Sequence, residues 1–210
     1  MKIHTIVVGA FEVNCYLVAD GDGACVVIDP GADAQDIAAA LRKHHLTVAA
    51  YLLTHGHIDH VSGLAALCKE IPAPAAMHPR DAVWAFTRAN QMLPFYPMAG
   101  EPPAVARQLA DGQEWTDGTL SYRVIETPGH SPGGVCFYFA HEKVLFTGDT
   151  LFADSVGRTD LPGGSNRVLT QSLRKLTALP DDVAVYPGHG SATTIGAEKA
   201  TNPYLGSALA

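Results

Sequence analysis

The sequence predicts one domain of mixed β-sheets with helices packed on the outside. Three observations carry that prediction. Short β-branched and apolar runs recur along the chain, and segments of helical period separate them. No repeat, low-complexity run or linker divides residues 1–210, so a single domain is the simplest organisation. At 210 residues and 47% hydrophobic content, the chain can bury a large core.

The opening reads as three strands: residues 3–8, residues 14–18 and residues 24–28. Gly21-Asp22-Gly23 turns the chain between the last two, and Asp29-Pro30-Gly31 stops the third. Residues 34–44 have helical spacing, with Ile37, Ala38 and Leu41 on one face. An apolar strand follows over 47–53. Leu64, Leu67, Cys68 and Ile71 then mark an amphipathic helix, ended by Pro72 and Pro74. Residues 75–78 predict a short strand and residues 81–92 a helix. Residues 94–103 are proline-punctuated and irregular. Strands return at 120–125, 134–139 and 143–146. Residues 166–179 predict a helix with Val168, Leu169, Leu173 and Leu176 inward, and residues 183–186 a last strand.

Composition narrows the function. A net charge of −7 argues against a partner recognised through a phosphate backbone. No apolar run reaches the length of a membrane helix, and the first residues lack the pattern of a secretory signal. Cys15, Cys25, Cys68 and Cys136 form no Cys-x-x-Cys pair and read as buried apolar fillers in a reducing, cytoplasmic compartment. The ten histidines are more diagnostic.

His55-Gly56-His57-Ile58-Asp59-His60 places four potential metal ligands within six residues, after an apolar strand and before a helix. Alternate residues of extended chain point the same way, so His55 and His57 can face one ion. Asp59 and His60 fall where the chain turns toward the helix and can face a second. His130 (in Pro128-Gly129-His130-Ser131), Asp149 (in Thr147-Gly148-Asp149-Thr150) and His189 (in Pro187-Gly188-His189-Gly190) each follow a predicted strand beside glycine. This inventory fits a two-metal site: His55, His57 and His130 around one ion, Asp59, His60 and His189 around the other, and Asp149 between them. Imidazole with carboxylate suits zinc, and also iron or manganese. His4, His44, His45, His78 and His141 lack such contexts and read as surface or packing residues.

The pattern His55-x-His57-x-Asp59-His60, followed in order by a His, an Asp and a His, resembles the metallo-β-lactamase superfamily over about residues 14–189. The resemblance implies an α+β, four-layered αββα sandwich with metals at one edge. It also matches Asp29 to an aspartate that braces the metal loop. The segment 151–165, with its Gly157-Arg158-Thr159-Asp160 motif, and Asn202-Pro203-Tyr204 are similar to the short bacterial glyoxalase II-like hydrolases. The longer glyoxalase II enzymes carry an extra helical region that contacts glutathione, whereas only about twenty residues follow His189 here.

The resemblance implies a hydroxyacylglutathione hydrolase that converts S-lactoylglutathione to lactate and glutathione. Two cations near one water lower its pKa from about 15.7 toward 7. A thiol ionises near about 8.5, so a thiolate leaves with little help from an acid. Asp59 is a candidate to orient the nucleophile, Arg158 to grip a substrate carboxylate and Tyr186 to line the pocket, although a strand tyrosine is more often core. Arg158 has a plain structural alternative, a bridge to Asp160 or Asp154. The competing activities are persulfide oxygenation by a single iron and lactone or β-lactam hydrolysis. A small-molecule thioester is the expected partner, with the chain a monomer or homodimer.

Overall fold

The computed structural model describes residues 1–100 and 105–206. Its elements in chain order are β1 (Lys2–Val8), β2 (Val13–Ala19), β3 (Ala24–Ile28), α1 (Ala34–Lys43), β4 (Thr47–Leu52), α2 (Ile58–Val61), α3 (Leu64–Glu70), β5 (Ala75–Met77), α4 (Pro79–Ala85), β6 (Val105–Gln108), β7 (Glu114–Asp117), β8 (Leu120–Glu126), β9 (Val135–Phe139), β10 (Val144–Gly148), β11 (Leu151–Phe152), β12 (Ser155–Val156), α5 (Asn166–Thr177), β13 (Ala184–Pro187), β14 (Thr193–Thr194) and α6 (Ile195–Thr201). The strands form two six-stranded sheets, ordered β1-β2-β3-β4-β5-β6 and β14-β13-β10-β9-β8-β7. The hairpin β11-β12 stands apart.

Strand alternation sorts the apolar residues into three cores. In β2 all seven residues are buried. Tyr16 and Val18 face the second sheet, where Phe137, Phe139 and Phe146 meet them. Cys15 and Leu17 point the other way, onto Ile37 and Leu41 of α1 and Leu64 and Leu67 of α3. Outside the second sheet, Cys136, Tyr138 and Leu145 pack on Leu169, Leu173 and Leu176 of α5 and on Ile195 of α6. The layers therefore run helix, sheet, sheet, helix. This is the α+β, four-layered αββα sandwich that the resemblance implies.

The predicted strands all occur, with edges shifted by a residue or two. The helix expected over 81–92 is shorter. It stops at Ala85, where the Asn90 side chain reaches back to donate to the Ala85 carbonyl (2.6 Å) and to the Gly56 carbonyl (2.7 Å). Asn90 thus ends the helix and ties it to the metal loop. In α5, Ser172 joins Leu169, Leu173 and Leu176 inside, while Val168 is half-buried. Of the irregular stretch 94–103, residues 101–103 lie outside the described residues. Strands β6, β7, β11, β12 and β14 have only two to four residues each, too short for a period to show. Cys15, Cys25 and Cys136 are buried thiols and Cys68 is half-buried. No helix of the described residues is long and apolar enough to cross a membrane.

Candidate metal centre

Four strand ends deliver the predicted residues to one edge of the sandwich. His55 and the short helix α2 follow β4. His130 follows β8, Asp149 follows β10 and His189 follows β13. Strand β13 runs parallel to β10, and β8 and β10 both run antiparallel to β9, so these three exits share one side of the second sheet. The sheets are stitched beside the site, where the Val135 amide donates to the Thr54 carbonyl (2.8 Å). Asn14 anchors the His189 loop by donating from its side chain to the carbonyls of Pro187 (3.0 Å) and Gly190 (2.9 Å). At Gly188 a Cβ would lie 2.3 Å from Asp149 Oδ1, so only glycine fits there.

The potential ligand atoms fall into two groups joined by a carboxylate. His55, His57 and His130 form one, and Asp59, His60 and His189 the other; atoms within each lie no more than 4.8 Å apart. Asp149 stands between, its Oδ1 3.3 Å from His60 Nε2 and its Oδ2 3.5 Å from His130 Nε2 and 3.6 Å from His189 Nε2. Asp29 also approaches His55 and His60, but from the outer side of the cluster.

The outer hydrogen bonds fix which ring nitrogens carry lone pairs. His130 Nδ1–H donates to the Arg158 carbonyl (2.7 Å), and His189 Nδ1–H to the Phe11 carbonyl (2.9 Å). His60 Nδ1–H donates to Asp29 Oδ2 (2.9 Å). Thr54 Oγ1 spends its one proton on Asp29 (2.6 Å), so it accepts from His55 Nδ1–H (3.1 Å). All four Nε2 atoms are left as inward lone pairs. His60 Nε2 and His189 Nε2 face each other at 3.4 Å, and His57 Nδ1 lies 2.8 Å from His130 Nε2. Among the described residues, buried His55 Nε2 and Asp149 Oδ1 have no hydrogen-bond partner. Lone pairs converging without donors repel each other and forfeit their hydration. Cations between them remove both costs, so the donor set fits divalent metal.

The electrostatics divide the rings into two that stay neutral, His55 and His57, and one, His60, that a bound cation would have to deprotonate. Burial pushes the His55 pKa well down, assisted by His60, His57 and His130. Burial and His130 lower that of His57 to about 4. Both rings therefore present free lone pairs at neutral pH. Burial opposes ionisation of Asp149, yet His60, His130 and His189 hold it ionised well below the usual range. Burial likewise opposes charging of His60, but Asp149, Asp59 and Asp29 outweigh it and raise its pKa.

A family model for the metallo-beta-lactamase superfamily matches residues 8–189. The chain belongs to that superfamily. Hydroxyacylglutathione hydrolase GloC of Haemophilus influenzae is 36% identical over 218 residues, covering 99% of both chains. The solved structure of BLEG-1 B3 metallo-beta-lactamase superposes with a TM-score of 0.92 at 36% identity, covering 98% of this chain and 100% of that one. The di-iron form of TTHA1623 gives 0.86 at 38% identity, covering 96% and 100%. The superfamily binds divalent metals, and its members here include hydrolases by name.

Two carboxylates hold the superfamily's metal loop in place. Asp29 accepts from the Thr54 amide (2.8 Å), Thr54 Oγ1 and His60, at the left-handed φ of 49°. It braces the loop as the resemblance implied. Asp81, fully buried in α4, accepts from the Gly56 amide (2.9 Å), Ser131 Oγ (2.6 Å) and the Gly133 amide (2.6 Å). It clips the His55–His57 loop to the His130 loop. The sequence shows Asp81 only as an acidic residue in a helix's first turn, where such residues are common. Its three partners lie 25 to 52 positions away, out of reach of any local pattern. His78, also buried, caps α4 by accepting from the Arg80 amide, a packing role as expected.

A cavity of about 570 Å³ opens over the cluster, lined by His57, Asp59, His130, Asp149 and His189 and by Arg158. Arg158 forms two 2.7 Å hydrogen bonds with Asp160, both side chains largely exposed. Tyr186 is corrected: it is absent from the cavity lining and packs between the sheets against Tyr16 and Phe146. Alternation along β13 turns Val185 toward α5 and Tyr186 toward the inter-sheet core. Asn202, from the Asn202-Pro203-Tyr204 match, donates to the Ser155 carbonyl (3.0 Å) and to buried Glu198 (2.7 Å). The end of α6 thereby supports the hairpin whose Phe152 and Val156 line the cavity.

Proposed function

We propose that this protein is a metal-dependent thioester hydrolase, with hydroxyacylglutathione thioesters such as S-lactoylglutathione as its substrates. His55, His57 and His130 would hold one ion, Asp59, His60 and His189 a second, with Asp149 shared; zinc, iron and manganese all suit these donors. Bound there, divalent cations supply charge that acidifies water and polarises a carbonyl. Asp59, in the cavity wall, orients the attacking water by accepting its hydrogen bond. Asp29, Thr54 and the carbonyls of Phe11 and Arg158 keep the imidazole lone pairs aimed inward. Arg158 exchanges Asp160 for a substrate carboxylate, a low-cost exchange because an exposed pair contributes only about 0–1 kcal/mol.

One observation carries the thioester reading. Among the described residues that line the cavity, every titratable group except Arg158 belongs to the two ligand clusters. No spare acid is left to protonate a departing group. A thiolate, from a thiol of pKa about 8.5, leaves without one, whereas an amine from an amide needs a proton. The name of the Haemophilus relative supports the same reading.

The test is thiol release from S-lactoylglutathione by metal-loaded protein. Oxygen uptake with glutathione persulfide and opening of a β-lactam are run beside it. Hydrolysis of the thioester at a kcat/KM above about 10⁴ M⁻¹s⁻¹ is expected. Activity confined to either rival substrate overturns the proposal.

A further inference from the structure

Beside the polar cluster, the rest of the cavity lining is largely hydrocarbon. Phe11, Ile58, Met92, Phe152, Val156 and Leu161 line it. The strip continues outward past Met92 (42% exposed) to Leu93 (66%) and Phe95 (58%), with the Phe95 ring 5.5 Å from that of Phe11. Apolar surface open to solvent beside a reactive centre is costly unless a ligand covers it. The polar groups of the cavity outside the ligand clusters are Asn90 and Arg158.

A substrate carbonyl placed at the metal cluster must send one of its two halves along this wall. Thiols that carry acyl groups in cells bear charged carboxylates or phosphates. Such groups need a charged donor, which Arg158 offers and the six apolar side chains do not. The acyl half is the half that can be hydrocarbon. We propose that the wall from Phe11 to Leu161 is an acyl subsite that takes an alkyl chain or aromatic ring. Within the thioester reading, on which this rests, the protein then prefers apolar acyl groups to short hydroxyacyl ones. The hydroxyl of a lactoyl group loses hydration against this wall, and the methylenes of a longer chain gain by leaving water.

The experiment uses the full-length, metal-loaded protein and a series of glutathione thioesters: acetyl, propionyl, lactoyl, butyryl and hexanoyl. Propionyl and lactoyl differ by one hydroxyl. The expected result is a kcat/KM higher for propionyl than for lactoyl, rising about fourfold per methylene from acetyl to hexanoyl. Met92→Gln, at a half-exposed rim position, flattens that rise. A flat series, lactoyl matching propionyl, or a rise equally steep in the variant overturns the subsite. Calorimetric binding of S-methyl and S-hexyl glutathione, thioethers that cannot be hydrolysed, separates the two proposals. Tighter binding of S-hexyl with no thioester cleaved sustains the subsite and overturns the hydrolase reading. Equal binding overturns the subsite whatever the turnover.

Discussion

The two ends of the sandwich bury polar side chains in opposite ways. At the far end, Asp20 closes β2 and accepts from the amides of Asp22, Ala24 and Thr119 (each 2.9 Å) and from Thr119 Oγ1 (3.1 Å). Asp117, beside it, takes both Arg107 nitrogens (2.7 and 2.8 Å) and the Tyr122 hydroxyl (2.8 Å). Every acceptor there has its donor. At the near end, where β4, β8, β10 and β13 exit, inward nitrogens face one another, and His55 Nε2 and Asp149 Oδ1 have no partner. A satisfied buried network specifies and stabilises a fold. An unsatisfied one points to something outside the polypeptide that completes it.

Substitutions at the two ends should therefore separate function from stability. The largest effect belongs to Asp149. Asp149→Ala is expected to lower thioester turnover by about 10³-fold or more and to lose bound metal, as loss of a shared ligand requires. His55→Leu should do likewise, yet in chelator it should unfold within about 1 kcal/mol of the unsubstituted chain, because losing the Nδ1 bond to Thr54 is offset by removing the unpartnered Nε2. A large destabilisation of the chelated His55→Leu protein would erase the contrast between the two ends.

Asp81→Asn sharpens the contrast inside the near end. It keeps the shape but weakens the clip between the His57 and His130 loops, and metal affinity of the three-histidine group is expected to fall about 10–100-fold. Equilibrium dialysis reads this directly.

Asp117→Asn is the converse. It should cost about 2 kcal/mol of stability at pH 7 and leave metal content unchanged. Burial disfavours the Asp117 charge, but Arg107 and Tyr122 hold its pKa below the ordinary value. The stabilisation is therefore complete above the unfolded value of about 3.9 and disappears as pH falls through the lower folded value. Denaturant curves of the two proteins should begin to approach each other near about pH 4 and meet only below the lower folded value. The smallest effect is that of Arg158→Ala, which should leave the denaturation midpoint essentially unmoved because its pair with Asp160 is exposed and screened by water.

The sequence exposed these two ends unequally. The near end was legible because its chemistry demands rare residues in dense spacing, His55 to His60, and glycines beside each later ligand. The strands were legible from β-branched runs, and the sandwich from the resemblance those ligands carry. Asp20, Asp81 and Asp117 were not legible as anchors. Aspartate after a strand or in a helix's first turn is ordinary, and its partners, such as Thr119 for Asp20, come from the far side of the fold. Tyr186 stands next to a ligand loop in sequence but not in the cavity lining. Strand alternation instead turns it into the inter-sheet core.

Whether these lone pairs hold metal is decided by the metal stoichiometry of chelated protein refilled with zinc, iron or manganese. Two ions per chain are predicted, falling to one in His57→Ala, whose ring belongs only to the His55–His57–His130 group. A chain that retains no ion, or a His57→Ala protein that still binds two with unchanged affinity, would contradict the assignment of these lone pairs to metal.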